Sequence, residues 1–244
     1  MPVFKRFIVG SDNHGELGCP EAIKTFLDFS KDWKPHHKIH LGDVWDYGIL
    51  RNGASQEDKS HGIMDDYVKG MEFLEEYRPN MLCLGNHDDR VWQKTENCMD
   101  GALKERCREL AIASERRFSQ LKIKWCPYVV DSYLQMPEGG PKLIHGFRST
   151  MYPAKANFDN WGPSISGHVH KPDEYTARHI DGEQAFTVGA LADLKKMKYA
   201  DRHPAKLGWR QGFLYGYINV KTGKWNAWNI TKEDGHWLSP QGPL

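Results

Sequence analysis

Five short blocks of residues, spread over more than half of the sequence, carry side chains that could bind metal ions and transfer protons. They contain carboxylates, one amide and several imidazoles, which are ligands for hard and borderline divalent metals. The blocks are Asp12-Asn13-His14-Gly15, Gly42-Asp43-Val44-Trp45-Asp46, Gly85-Asn86-His87-Asp88, His145-Gly146 and Gly167-His168-Val169-His170. Because the blocks lie far apart in the chain, only tertiary folding could bring them together as one metal site.

The segments before the first three blocks predict how those blocks are positioned. Apolar runs at residues 4–9, 38–41 and 81–84 predict three strands, each of which ends just before a block. Helical spacing of apolar residues at 21–33 and 61–77 predicts a helix between each pair of strands. Open α/β sheets bind ligands at the carboxyl ends of their strands. We therefore expect the three blocks to lie together at one edge of a sheet.

After residue 100 the pattern changes from alternation to a long charged helix, predicted at 102–121, followed by strands. The predicted strands are 128–134, 142–144, 164–166, 185–188, 213–220 and 225–230, the last two joined as a hairpin at Thr222-Gly223. The second half is expected to form a second sheet packed against the first. No linker separates the five blocks, so the chain is read as a single domain of residues 1–244 with an α/β fold.

Composition narrows the classes of protein that the chain could belong to. The 33 Lys and Arg residues nearly balance the 32 Asp and Glu residues, so no broad electrostatic field attracts a polyanion. The five cysteines are an odd number without a C-x-x-C pair, which argues against a disulfide framework or a zinc knuckle. The apolar run near the N-terminus is too short and too charged for a signal or membrane span. The sequence predicts a cytoplasmic protein with no membrane partner.

The blocks and their order resemble the calcineurin-like metallophosphoesterase family. The pattern of that family is D-x-H, then G-D-x-x-D, then G-N-H-[DE], then a lone His, then G-H-x-H, and every block meets it. The resemblance extends over residues 11–170. It implies two packed mixed β-sheets flanked by helices, an αββα sandwich, and a dinuclear metal-dependent hydrolase of phosphoesters.

The resemblance implies seven ligands for two divalent metal ions. They are Asp12, His14 and His170 on one ion, Asn86, His145 and His168 on the other, and Asp43 bridging the two. Mn²⁺ is the expected ion, with Fe, Zn²⁺ and Ni²⁺ as alternatives, since mixed oxygen and nitrogen ligation suits all of them. Six other histidines are expected at the surface: His36, His37, His61, His179, His203 and His236.

The family resemblance also implies roles in the reaction itself. Hydroxide bound to the metals would be the nucleophile that attacks phosphorus. His87, next to the expected ligand Asn86, would donate a proton to the leaving group as general acid. Asp46, the second acid of the G-D-x-x-D block, would hold the His87 ring in its orientation.

Departures from one branch of the family narrow the substrate. In protein phosphatases an Arg follows G-D-x-x-D, a Glu follows G-N-H, and another Arg precedes that Gly, whereas this chain has Tyr47, Asp88 and Leu84. The absent arginines would have bound a doubly charged phosphomonoester bidentately, so a phosphodiester is favoured. Arg90 and Arg148, which are close in sequence to the blocks, are candidates to bind substrate in their place, and this leaves monoesterase activity open.

Two alternatives to a small-substrate phosphodiesterase remain. The blocks also resemble the repair-exonuclease branch, and a DNA or RNA nuclease would need a basic track with stacking aromatics. Candidates for that track are the helix at 104–117 and the segment 195–210, which includes Arg202 and Trp209. The other alternative is a catalytically silent scaffold or binding module. The tryptophans of the C-terminal third also leave a homo-oligomer open, because Trp is enriched at interfaces.

Overall fold

The computed structural model describes residues 3–179, 182–201 and 204–244. The helices in these ranges are α1 (Pro20–Trp33), α2 (Gln56–Ser60), α3 (Ile63–Tyr77), α4 (Asp89–Asn97), α5 (Gly101–Gln120) and α6 (Pro153–Trp161). The strands are β1 (Phe4–Gly10), β2 (His37–His40), β3 (Met81–Cys83), β4 (Lys124–Cys126), β5 (Leu134–Gln135), β6 (Lys142–Ile144), β7 (Ser164–Ser166), β8 (Asp173–Thr176), β9 (Gln184–Thr187), β10 (Gly212–Asn219), β11 (Trp225–Glu233), β12 (His236–Ser239) and β13 (Gly242–Pro243).

The strands form two mixed sheets. The first has the order β13-β12-β11-β10-β1-β2-β3-β4, in which β1 to β4 run parallel and β10 pairs antiparallel with β1. The second has the order β5-β6-β7-β9-β8, in which β6, β7 and β9 run parallel and the two edge strands run antiparallel. Each sheet therefore contains a parallel core whose strands end at one edge.

Alternation along β1 shows how the layers pack. Phe7 and Val9 belong to the core between the two sheets, where Phe186 of the second sheet also lies. Ile8 faces the other way and packs in the cluster that includes Phe26 of α1 and residues of α3 and α5. Helix α6 contacts β7, β8 and β9 and covers the second sheet. The layers are helix, sheet, sheet and helix, which confirms the predicted fold class.

Two strand predictions were wrong in detail. The strand expected at 128–134 is reduced to β5, because the N–H groups of Val129 and Ser132 donate within the segment, to Pro127 and Val129, and form a tight turn. The C-terminal hairpin, β10 and β11, was expected in the second sheet but extends the first. Phe213 packs on the helix side of β10 and Leu214 in the core between the sheets, as in a strand covered on both faces.

Several elements lie where the sequence carried no prediction: α2, α4, α6, β4, β8, β12 and β13. His37 was wrongly expected at the surface, since it is buried and its Nε2 lies 2.9 Å from the Glu138 carboxylate. The expected exposure is found for His36, His61, His179 and His236. Arg202 and His203 lie outside the described residues. No helix in the described part of the chain combines the length and apolar character needed to cross a membrane.

Candidate metal centre

The carboxyl ends of five parallel strands lead into the expected ligands. In the first sheet, β1 leads to Asp12, β2 to Asp43 and β3 to Asn86, and in the second sheet β6 leads to His145 and β7 to His168. The two sheets are packed face to face, so these strand ends meet along one edge of the sandwich. Distances between the side chains show that the five blocks converge there.

One group of side chains contains Asp12, His14 and His170. Their potential ligand atoms all lie within 4.8 Å of one another, and all three residues are buried. The Nε2 atom of His170 is 3.3 Å from Asp12 Oδ1 and 3.3 Å from His14 Nε2. Two imidazole nitrogens and a carboxylate oxygen thus face a common point, which is the arrangement that a divalent ion requires.

A second group contains Asn86, His145 and His168. The Oδ1 atom of Asn86 lies 3.1 Å from His145 Nε2 and 2.8 Å from His168 Nδ1. Asp43 lies between the two groups, because its Oδ2 is 3.3 Å from His145 Nε2 and 3.7 Å from His14 Nε2. The structure therefore brings all seven expected ligands together as two groups that share one carboxylate.

The chemistry of these groups fits bound cations. Asp12 Oδ1 is buried without a hydrogen-bond partner, whereas Oδ2 accepts from the main-chain N–H of His168 at 3.0 Å. Burial would raise the pKa of Asp12 and of Asp43, but the neighbouring imidazoles, led by His170 for Asp12 and His145 for Asp43, outweigh burial and lower both. Two ionised carboxylates in a buried site need compensating positive charge, which divalent metals would supply.

The imidazole of His145 is oriented by the main chain. Its Nδ1–H donates to the Leu41 carbonyl at 2.7 Å, which directs Nε2 toward Asn86 and Asp43. Burial lowers the pKa of His145, but the Asp43 carboxylate outweighs burial and raises it to about 9. Metal binding at this position would therefore release a proton from the ring.

Five of the seven expected ligand residues have strained backbones. Asp12, His14, Asp43, His168 and His170 all have φ between 50° and 70°, in the left-handed region that non-glycine residues rarely adopt. Such conformations cost of order 1–3 kcal/mol each and are concentrated at functional sites. Here the conformation turns successive side chains toward one point from the ends of the strands.

Two glycines of the blocks allow the backbone to approach the carboxylates of Asp43 and Asp12, two expected ligands. The N–H of His87 donates to Asp43 Oδ1 at 2.8 Å, and a Cβ on the preceding Gly85 would collide with that carboxylate. A Cβ on Gly167 would likewise lie 2.8 Å from Asp12 Oδ2. Glycine at these two positions thus follows from the close packing of main chain against carboxylate.

Asp46 contacts both an expected metal ligand and the expected acid. Its Oδ1 lies 2.9 Å from His14 Nδ1 and 3.0 Å from His87 Nδ1. Burial would raise the pKa of Asp46, but hydrogen bonds from the two rings outweigh burial and lower it. His87 also falls within 4.8 Å of the ligand atoms of His14 and Asp43, so it borders the metal site directly.

Sequence reasoning missed Asp66, which holds two of the loops in place. Its Oδ2 accepts from the N–H groups of Asp46 at 3.0 Å and Tyr47 at 2.8 Å, and its Oδ1 accepts from that of Glu16 at 3.0 Å. Burial raises the pKa of Asp66 to about 6. The one signal in the sequence that could have found Asp66 is its place on the same face of α3 as the buried Tyr77.

Asp88, the acid of the G-N-H-D block, has a related role. Its Oδ1 accepts from the N–H of Trp45 at 3.0 Å and its Oδ2 from that of Gly85 at 2.8 Å. It is fully buried, and burial raises its pKa well above the usual range. Asp88 therefore ties the second block to the third.

The two arginines expected to bind substrate differ in position. Arg90, in α4, donates from Nη1 to the carbonyls of Asp46 at 2.6 Å and Tyr47 at 3.4 Å, so it lies beside the site. Arg148 is exposed, and within the described residues no hydrogen bond or ion pair joins it to the site. Of the two, only Arg90 is brought into contact with the site.

Comparison with known protein families identifies the family of this chain. The family model of the calcineurin-like phosphoesterases matches residues 5–163, well over half of the chain. The chain belongs to the calcineurin-like phosphoesterase family. Membership of this family makes it a metal-dependent phosphoester hydrolase, and the His and Asp clusters fit a binuclear site for divalent ions.

Solved structures resemble this calcineurin-like phosphoesterase at low sequence identity. A predicted phosphoesterase from Streptococcus pneumoniae is 13% identical, with 100% of this chain and 94% of that chain covered and a TM-score of 0.39. Vacuolar Protein Sorting 29 from Cryptosporidium parvum is 14% identical, with 98% and 96% covered and a TM-score of 0.48. YfcE, a phosphoesterase from E. coli, is 15% identical, with 90% and 96% covered and a TM-score of 0.38. No curated protein matches significantly.

Proposed function

We propose that this calcineurin-like phosphoesterase is a phosphodiesterase with two divalent metal ions, Mn²⁺ first among them. The proposal depends above all on the position of Asp43 between the Asp12, His14 and His170 group and the Asn86, His145 and His168 group. When bound, such a metal pair activates water and neutralises charge on the phosphoryl oxygens. The seven ligands named above would hold the ions.

His87 serves as the general acid in this proposal. Its Nδ1 is engaged by Asp46, so the opposite ring nitrogen, Nε2, is the one that would deliver a proton to the leaving-group oxygen. Asp46 orients the His87 ring and, through the same oxygen, the His14 ring. The Asp46 carboxylate thus fixes the orientation of both the proposed acid and a proposed ligand.

The preference for a diester rests on the two positions at which protein phosphatases have arginines and this chain does not. Tyr47 and Leu84, which occupy the positions of the phosphatase arginines, are buried with the core, and Asp88 is committed to main-chain N–H groups. Of the two candidate arginines, Arg90 contacts the site. A singly charged diester needs less compensating charge than a doubly charged monoester.

Two cavities next to the site leave room for a substituent on each side of the phosphorus. One cavity, of about 230 Å³, is lined by Asp46 and Tyr47 together with the apolar side chains of Leu17 and Ile49. The other, of about 410 Å³, is lined by residues that include Asn86. A phosphodiester has an organic group on each side of phosphorus, whereas a monoester has one.

A nuclease is the second candidate, favoured by one ring contact. Trp209 packs with its centroid 4.4 Å from that of His170, where it could stack against a base, and Lys206 lies over the same ring. The α5 helix offers no comparable support, since Arg106 pairs with Glu109 at 2.9 Å and Arg117 pairs with an acid of α3 at 2.7 Å. We therefore rank a small-substrate phosphodiesterase first.

The test is an activity screen of the metal-reconstituted protein with Mn²⁺, Fe, Zn²⁺ and Ni²⁺. The substrates are bis-p-nitrophenyl phosphate, p-nitrophenyl phosphate, cyclic nucleotides, and single- and double-stranded DNA, with Asp43→Asn as the control for metal dependence. We expect diester hydrolysis to exceed monoester hydrolysis and to be lost in Asp43→Asn. Faster monoester hydrolysis would contradict the proposed specificity, and metal binding without turnover of any substrate would favour the silent scaffold.

A further inference from the structure

The cavity that adjoins Asn86 has an unusual lining. We call it the α4 cavity, because Arg90 and Lys94 of α4 line it together with Arg51, Asn86, three further amide side chains and one leucine. Its volume of about 410 Å³ is within the range of small-molecule sites. Among the described lining residues there is no carboxylate, and every polar side chain among them is cationic or a neutral amide.

The cations of the α4 cavity are unequally compensated. Arg51 is paired with Asp58, whose Oδ2 lies 2.5 Å from Nη2. Arg90 donates to two main-chain carbonyls, and within the described residues it has no ion pair with a carboxylate. Lys94 likewise has no ion pair within the described part of the chain. Arg90 and Lys94 are four residues apart, so they lie on one face of α4 and present two positive charges together.

We propose that the α4 cavity binds a second phosphate group of the substrate while the scissile phosphoester lies at the metal centre. This inference rests on the proposed function, because it assigns the scissile group to the site that contains Asn86. Guanidinium, ammonium and amide N–H groups are all donors, and phosphate oxygens are all acceptors. Asn86 lines the α4 cavity and also contacts His145 and His168, so the two phosphates would occupy adjoining positions.

The second phosphate has two chemical sources. It is either a terminal phosphate on a small molecule or the neighbouring phosphate of a nucleic-acid strand. Both present the same group to Arg90 and Lys94, and they differ in what extends beyond it. Paired substrates therefore first test whether a second phosphate is bound, and oligonucleotides then distinguish a small molecule from a nucleic-acid strand.

The first measurement compares two diesters that differ by one phosphate. Thymidine 5′-(p-nitrophenyl phosphate) and its 3′-phosphorylated form release the same p-nitrophenolate, so kcat/KM values compare directly. We expect the 3′-phosphate to raise kcat/KM about tenfold, as for a charge-assisted hydrogen bond. Lys94→Gln should remove most of that preference, whereas Lys24→Gln, which removes the same charge from an exposed position of α1, should retain it. Equal kcat/KM for the two diesters, or an unchanged preference in Lys94→Gln, would overturn the inference.

A binding measurement separates this inference from the proposed function. If neither diester is hydrolysed, the proposed function fails, and the α4 cavity is tested by calorimetry with thymidine 3′,5′-bisphosphate. The expected result is a Kd about tenfold weaker for Lys94→Gln than for the Lys24→Gln control. The same Kd for both variants would refute the phosphate site independently of turnover.

Oligothymidylates of increasing length then distinguish the two sources. If affinity rises with length and falls steeply with salt, while Lys94→Gln weakens every length, the second phosphate belongs to a nucleic-acid strand. If affinity is greatest for the bisphosphate and does not rise with length, the source is a small molecule. Binding of either class that is insensitive to Lys94→Gln would contradict the site.

Discussion

Replacement of His87 by asparagine tests the proposed acid most directly. The introduced amide would still place a donor near Asp46, whose Oδ1 lies 3.0 Å from His87 Nδ1, but it would have no group at the position of Nε2. General acid catalysis contributes about 10²- to 10⁴-fold to rates. Since each tenfold loss corresponds to about 1.4 kcal/mol of barrier, the expected increase is roughly 3–5 kcal/mol. Asp46 keeps its hydrogen bond with His14 at 2.9 Å, so the cost in stability should be about 1 kcal/mol.

The assay depends on the leaving group. The p-nitrophenolate of bis-p-nitrophenyl phosphate leaves without much help from a proton, whereas the alkoxide of a dinucleotide needs one. We expect His87→Asn to lose about 10²-fold or more with the dinucleotide and much less with the aryl ester. Metal content, measured by mass spectrometry, should equal that of the unmodified protein. His236→Asn, on exposed β12, is the matched control and should behave like the unmodified protein in both assays.

Two results would refute this reasoning. Undiminished hydrolysis of the dinucleotide by His87→Asn would show that His87 is not the acid. Loss of one metal equivalent would show that His87 is a ligand, as its position within 4.8 Å of His14 and Asp43 ligand atoms would permit. Each result is read independently of the other.

Three further predictions concern the scaffold of the site and an ion pair at the amino end of β1. Gly85→Ala introduces a Cβ that would collide with the Asp43 carboxylate. It should weaken metal binding at least tenfold and cost about 1–3 kcal/mol of stability. Gly101→Ala, with open space around it, is the control in the metal titration. Asp66→Ala removes the acceptor of three main-chain N–H groups and should lower kcat or metal affinity about 10- to 100-fold. If kcat and metal affinity are both unchanged, Asp66 does not position the site. Burial would raise the pKa of Glu138, but Lys5, at 2.6 Å, outweighs burial and lowers that pKa. The ion pair therefore stabilises the fold at pH values above the ordinary pKa of Glu, and this stabilisation is lost as the pH falls through the lowered pKa of Glu138. Denaturation of Glu138→Gln should therefore show a loss of about 1 kcal/mol at pH 7 that vanishes in acid, and a loss independent of pH would contradict the ion pair.

Local patterns predicted the part of the fold that local interactions determine. The strand preceding Asp12 and the strand preceding Asp43 were found from apolar runs, and the helix that carries Asp66 was found from its 3.6-residue period. The pairing of the C-terminal hairpin with β1 was not found, because strand partners depend on contacts between residues such as Phe7 and Gly216 that are distant in sequence. Helix α4 was missed because it is short and mostly polar, with Val91 and Trp92 as its apolar residues.

The sequence by itself determined the family, the reaction class and the residue types that stand after each strand, because motif order and side-chain chemistry are properties of the chain. Only the tertiary structure decided that Asp43 lies between two groups of expected ligands, that Asp46 contacts both His14 and His87, and that Arg90 reaches the site. These are distances across packed loops, and they are set by long-range packing and by buried acceptors such as Asp66, whose role no local pattern encodes.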